Sequence, residues 1–181
     1  MSKTTIPTGG LADSAVTTAK ITDATIASGD LADDAVTAAK IADAVGLGKL
    51  LQVVQVENNT DLDLSSNTYT DYFSGAITPS ASSSKVLVFW TVHSRAMTSV
   101  SGFGIRLVRG STNVWTSTRD YYVYSEDAAS DRSLTMLSYL DSPSTTSATT
   151  YKIQVACNGS VNIQFSGNSN QSNMTLMEIG A

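Results

Sequence analysis

From residue 6 to residue 41 the apolar positions keep an interval of five. Ile6, Leu11, Val16, Ile21, Ile26, Leu31, Val36 and Ile41 follow one another without a miss, set among Ala, Thr, Asp, Ser and Gly. Five residues of α-helix turn through about 500°, so successive aliphatics drift by about 140° and make no stripe. A straight strand fails too, because its side chains alternate with period two and five is odd. A chain that bends once per unit, presenting one aliphatic inward per bend, satisfies the spacing. That is the logic of solenoids and fibrous β-structures, where a unit buries its face only against a neighbour. An Ala-rich, coiled-coil-like helix and a disordered linker are the alternatives; the many β-branched residues and Gly29 work against the helix.

One aliphatic per five residues buries too little to offset the ordering of five backbones, so a single copy is a poor candidate to stand alone. Several chains wound about one axis let each aliphatic meet its symmetry mates, and cyclic homo-oligomers are the common solution. Residues 5–45 therefore read as a thin, three-stranded shaft, with the eight aliphatics as its oligomerisation core.

After Leu50 the pattern changes to short alternating runs rich in Val, Ile, Tyr, Phe and Thr, broken by Ser, Asn, Asp and Gly. LLQVVQV, YTDYFSGAI, KVLVFWTVHSR, GFGIRLVR, VWTSTR, YYVYS, SLTMLSYL, TYKIQVA, VNIQFS and MTLMEI are the predicted strands. So many strands at such close spacing predict an antiparallel sandwich of the jelly-roll kind. The fold class expected is all-β: an extended repeat shaft of trimeric β-structure in an N-terminal region 1–49, then a β-sandwich head in 50–181. RGSTNV, residues 109–114, reads as a short hairpin loop with Gly110 supplying the turn. In VLVFW both faces are apolar, as expected of a strand covered on one side by the opposite sheet and on the other by a second subunit.

Composition sharpens this division, since all 13 aromatics lie between Tyr69 and Phe165. A net charge of −5 with scattered Lys and Arg shows no basic footprint for nucleic acid or anionic lipid. No run approaches the roughly 18 apolar residues of a membrane span, and the first ten residues lack the apolar core of a signal peptide. Neither membrane insertion nor signal-led export is expected.

The inventory for chemistry is short. His93 is the only histidine, and it alternates with Leu87, Phe89, Thr91 and Arg95 along one strand, as a packed or hydrogen-bonded sheet residue would. Cys157, the only cysteine, falls in phase with Tyr151, Ile153 and Val155, which places it inward as a small core residue. Asp61 and Asp63, and Glu126, Asp127 and Asp131, do not follow the spacing of a calcium loop. No catalytic residue, metal site or cofactor is expected. RDYYVYSED is more suggestive: Trp115, Arg119, Tyr121, Tyr122 and Tyr124 gather flat aromatics and a cation within ten residues. These are materials of a carbohydrate or protein contact surface, and equally of ordinary strand packing.

The phrases AVTTAKITDATI and LADDAVTAAKIADAV, followed by KLLQVVQV, resemble the repeats of fibre-type virion proteins of tailed bacteriophages, especially those of marine and cyanobacterial hosts. The stretch SYLDSPSTTSATTYKIQV, with a closing strand MTLMEIG, is similar to the jelly-roll heads of many such fibres and to trimeric tumour-necrosis-factor-like heads. This resemblance implies a homotrimeric virion appendage assembled in a bacterial cytoplasm. Its N-terminal arm would hold other virion proteins, and its head would meet a host-surface glycan or protein. Two further readings stand beside it. One is a capsid decoration protein whose arm clamps coat subunits; the other is a glycan-cleaving spike, for which Asp120, Glu126, Asp127 and Asp131 are the only dense acidic group.

Overall fold

The computed structural model describes residues 7, 9–10, 12, 15–22, 25–27, 30–33, 49–97, 101–117, 122–125, 131–158, 161–166 and 170–180. The chain divides into two compact units, Met1–Leu47 and Gly48–Ala181.

In the first unit the backbone turns once every five residues. The N–H groups of Gly10, Ala15, Lys20, Thr25 and Asp30 donate to the carbonyls of Pro7, Ala12, Thr17, Thr22 and Ala27, at 2.8–3.1 Å. Each bond closes a four-residue turn, and the one across Thr18–Lys20 is a 3₁₀ turn. The polar residues of the repeat brace these turns. Thr25 Oγ1 donates to the Thr22 carbonyl at 2.6 Å, and the Ala27 N–H donates to Asp30 Oδ2 at 2.9 Å. Short polar side chains that compete for the backbone in this way favour turns over helix. Val16, Ile21, Ile26 and Leu31 each follow a turn donor directly. The bend per unit expected from the spacing is present among the described residues, as a run of turns rather than of paired strands.

The second unit is an antiparallel β-sandwich. Its strands are β1 (Lys49–Asn58), β2 (Leu62–Leu64), β3 (Thr70–Ile77), β4 (Lys85–Ala96), β5 (Ser101–Arg109), β6 (Thr112–Thr116), β7 (Val123–Ser125), β8 (Arg132–Asp141), β9 (Thr149–Cys157), β10 (Ile163–Phe165) and β11 (Ser172–Gly180). One sheet has six strands in the order β1-β11-β4-β10-β2, with β8 on the other edge of β4; the second runs β3-β9-β5-β6, with β7 also on β5. The jelly-roll-like sandwich read from the strand pattern is the fold observed. β2 escaped that reading because Leu62, Asp63 and Leu64 alternate over too short a run to mark a strand.

Period-two burial makes the core. Val86, Val88, Trp90 and Val92 of β4 and Met174 and Leu176 of β11 face Phe103, Ile105 and Leu107 of β5 and Ile153 and Val155 of β9. Phe103 and Phe165 meet edge to face at 5.0 Å. Cys157 lies in this core, as its phase on β9 implied, with Sγ 3.2 Å from the Leu64 carbonyl oxygen. The β5–β6 turn is tighter than RGSTNV suggested. Arg109 and Thr112 are already paired, so Gly110 and Ser111 alone reverse the chain, Gly110 with a φ of 58° that suits a residue lacking Cβ.

Candidate assembly surface

The two outer faces of the sandwich differ in chemistry. On the five-stranded sheet the outward side chains satisfy one another. Lys152 Nζ sits 3.0 Å from Asp71 Oδ2, Gln154 also donates to Asp71, and Arg106 donates to Gln154 while its guanidinium lies 4.3 Å over the Tyr69 ring. Hydrogen bonds from Gln154 and Lys152 hold the Asp71 carboxyl below its ordinary range. This face is built for water.

The six-stranded sheet presents the opposite. Val53, Met177, Leu87 and Leu140 stand in one cross-strand row over β1, β11, β4 and β8, all on the side away from the core. The next row is Gln55, Thr175, Phe89 and Ser138, and beyond it Met136 lies opposite Thr91 and Leu134 opposite His93. Val53, Phe89, Leu134, Met136 and Leu140 are between 43% and 70% exposed, which for large apolar side chains in neighbouring positions marks a surface awaiting cover. A bulge between Leu50 and Gln52 adds two leucines at the end of β1, both exposed.

VLVFW pointed to this face through Leu87 and Phe89. The rest was missed, although SLTMLSYL carried the same signal: Leu134, Met136 and Leu140 share one parity while Leu137 and Tyr139 hold the other.

The first unit carries a second apolar surface. Val16, Ile21, Ile26 and Leu31 are 41–55% exposed. Ile6, Leu11, Val36 and Ile41, the remaining members of the ladder, lie outside the described residues.

Of the aromatic cluster, Arg119 and Tyr121 lie outside the described residues. Trp115, on β6, is half-buried: its ring meets Trp90 of the core at 5.7 Å and Tyr122 at 5.9 Å, both edge to face. Tyr122 and Tyr124 are about half exposed. The structure thus brings Trp115 and Tyr122 together, with Trp115 linking the core to the surface ring.

Among the acidic residues singled out, Asp61, Asp63 and Asp131 are exposed, while Asp120, Glu126 and Asp127 lie outside the described residues. Burial pushes the Cys157 thiol up to about 11, the mark of an inert core cysteine.

No family model matches the chain, and no curated protein sequence does. Among solved structures it is similar to a mutant VP2 protein of infectious bursal disease virus in derived T=1 particles. That alignment has a TM-score of 0.39 and 14% identity, over 71% of this chain and 35% of that one. A second likeness is to the Gx strain of the same virus, at a TM-score of 0.37 and 18% identity, over 72% and 37%. The chain spans little more than a third of the length of either.

Proposed function

We propose that the chain is a structural component of a virus particle, a homotrimeric appendage of a tailed bacteriophage, attached by its N-terminal arm and displaying its sandwich. The observation that carries this reading is the ladder: among the described residues a turn recurs every five residues, and Val16, Ile21, Ile26 and Leu31, which follow four of these turns, are left exposed by their own chain. Such a chain needs neighbours of the same pitch, and copies of itself have that pitch. The resemblance of the repeats to phage fibre shafts supports the seat on a particle.

In this reading the head meets the host surface through Tyr122 and Tyr124, with Trp115 behind the Tyr122 ring. Each contact is weak, and number makes up for it: three heads per appendage and many appendages per particle raise the effective concentration into the millimolar range.

Two experiments test the proposal. Antibodies to the head, imaged on particles of the virus that encodes this chain, are expected to label a fibre; label spread over the coat lattice favours the decoration reading instead. Purified chain is expected to compete with particles for host cells, and the double variant Tyr122→Ala, Tyr124→Ala to compete less well. No competition by the unmodified chain removes host attachment from the account.

A further inference from the structure

We infer that the outer face of the six-stranded sheet is the seat of a second copy of this chain, so that heads as well as arms touch in the assembly; this rests on the oligomeric reading above. The first support is the unbroken row Val53, Met177, Leu87 and Leu140. A sheet face in water normally alternates apolar-in and polar-out, and here all four strands are apolar outward at one level. The polar network on the other outer face shows the same sandwich meeting that rule where water is its neighbour.

Size selects the occupant. Four strands about 4.8 Å apart and ten residues long, at about 3.3 Å each, make a face of roughly 600 Å². Its apolar part falls within the roughly 300–600 Å² of the largest apolar patches on monomers, which are often functional. It is below the roughly 800 Å² per partner of a free-standing specific interface. The face therefore has the character of a contact surface but is too small to hold an independent partner firmly. A tethered partner does not have this difficulty. β1 begins two residues after Leu47, the end of the first unit, so copies joined at their arms hold their β1 strands on a short leash. The leash supplies the effective concentration that the area lacks. No other partner is tied to this face by the chain itself.

Cross-linking through introduced cysteines in the full-length chain tests the inference. Ser138 is exposed on the apolar face and Ser74 is exposed on the polar one, so Ser138→Cys and Ser74→Cys are both mild surface changes. The native Cys157 is fully buried with its thiol pushed up to about 11, and it gives no background reaction. With a bismaleimide at low protein concentration, Ser138→Cys is expected to give on the order of ten-fold more covalent oligomer than Ser74→Cys. Light scattering on the same samples separates the two levels of the account. An oligomer whose two variants cross-link equally overturns this inference and leaves assembly through the arm standing. A monomer that cross-links at neither position overturns both.

Discussion

The hydroxyl of Tyr151, on β9, donates a 2.6 Å hydrogen bond to Asp141 Oδ2 at the end of β8, tying the two sheets together at one end of the sandwich. Arg109 completes the clasp, its Nη1 donating to both Asp141 oxygens at 2.9 and 2.7 Å and to the Ser142 carbonyl at 3.1 Å. Burial, and then the neighbouring carboxylate, push the Tyr151 phenol well above its ordinary range, so it stays a neutral donor. β8 carries much of the apolar outer face, so this clasp fixes one edge of that face.

Tyr151→Phe leaves a buried carboxylate short of one donor and is expected to destabilise the chain by about 1–3 kcal/mol. Asp141→Ala takes the shared acceptor from both Arg109, which keeps the Ser142 carbonyl, and the buried Tyr151 hydroxyl, and is expected to cost more, about 2–4 kcal/mol. Urea denaturation measures both, and equal midpoints for Tyr151→Phe and the parent would contradict the clasp.

Acid stability is predicted to depend on Glu178. Its carboxylate is fully buried, and burial alone works to raise its pKa. Donors outweigh that: Gln52 Nε2 reaches Oε2, and the Ser80 N–H and hydroxyl each reach Oε1 at 2.7 Å, holding the group down to about 2 from an ordinary 4.5. Between those values the unfolded chain binds a proton that the folded chain refuses, so stability is fully present above about 4.5 and falls as pH drops toward 2. Unfolding followed at fixed pH values is expected to show this loss, and Glu178→Gln to flatten it. Parallel pH profiles for the two proteins would contradict the assignment.

Gly75, on β3, sits close against side chains of β1 and β11 in the opposite sheet. A Cβ there would stand 2.9 Å from Val56 Cγ2 and 3.5 Å from Leu176 Cδ1. Gly75→Ala is expected to be mildly destabilising, because the stiff Val56 side chain must shift and the about 0.4–1 kcal/mol gained from a stiffer unfolded chain only partly offsets this. Gly75→Val adds two methyl groups to a full space and is expected to lose about 1–3 kcal/mol. Thermal melts of the pair check this: equal melting temperatures for the two variants would show that the gap is not tight.

Much of this architecture was legible in the residues. Alternation along KVLVFWTVHSR and TYKIQVA located the two central strands and put Cys157 inside, because period-two burial leaves a direct trace in sequence. The interval of five gave one bend per unit, because each turn recurs on the same kind of residues. What stayed hidden depends on register. Nothing local says that Val53 will stand level with Met177, Leu87 and Leu140, since these positions are far apart in the chain and meet only through three strand pairings. The Arg109–Asp141–Tyr151 clasp was invisible for the same reason.

The arm offers its own test by substitution. Ile21→Asp with Ile26→Asp places a charge at two successive levels of the ladder, where each copy would meet the same charge on its neighbours. The double variant is expected to lose oligomer at concentrations where the parent keeps it, with the circular dichroism of the sandwich unchanged. An oligomer of undiminished stability would show that these side chains do not face one another.

If further copies of the chain cover its exposed aliphatics, the full-length protein is an oligomer in solution, and its mass reads this out. Sedimentation equilibrium is predicted to give three times the 19.0 kDa chain mass, held on dilution. A folded species of 19.0 kDa at the same concentrations would contradict it.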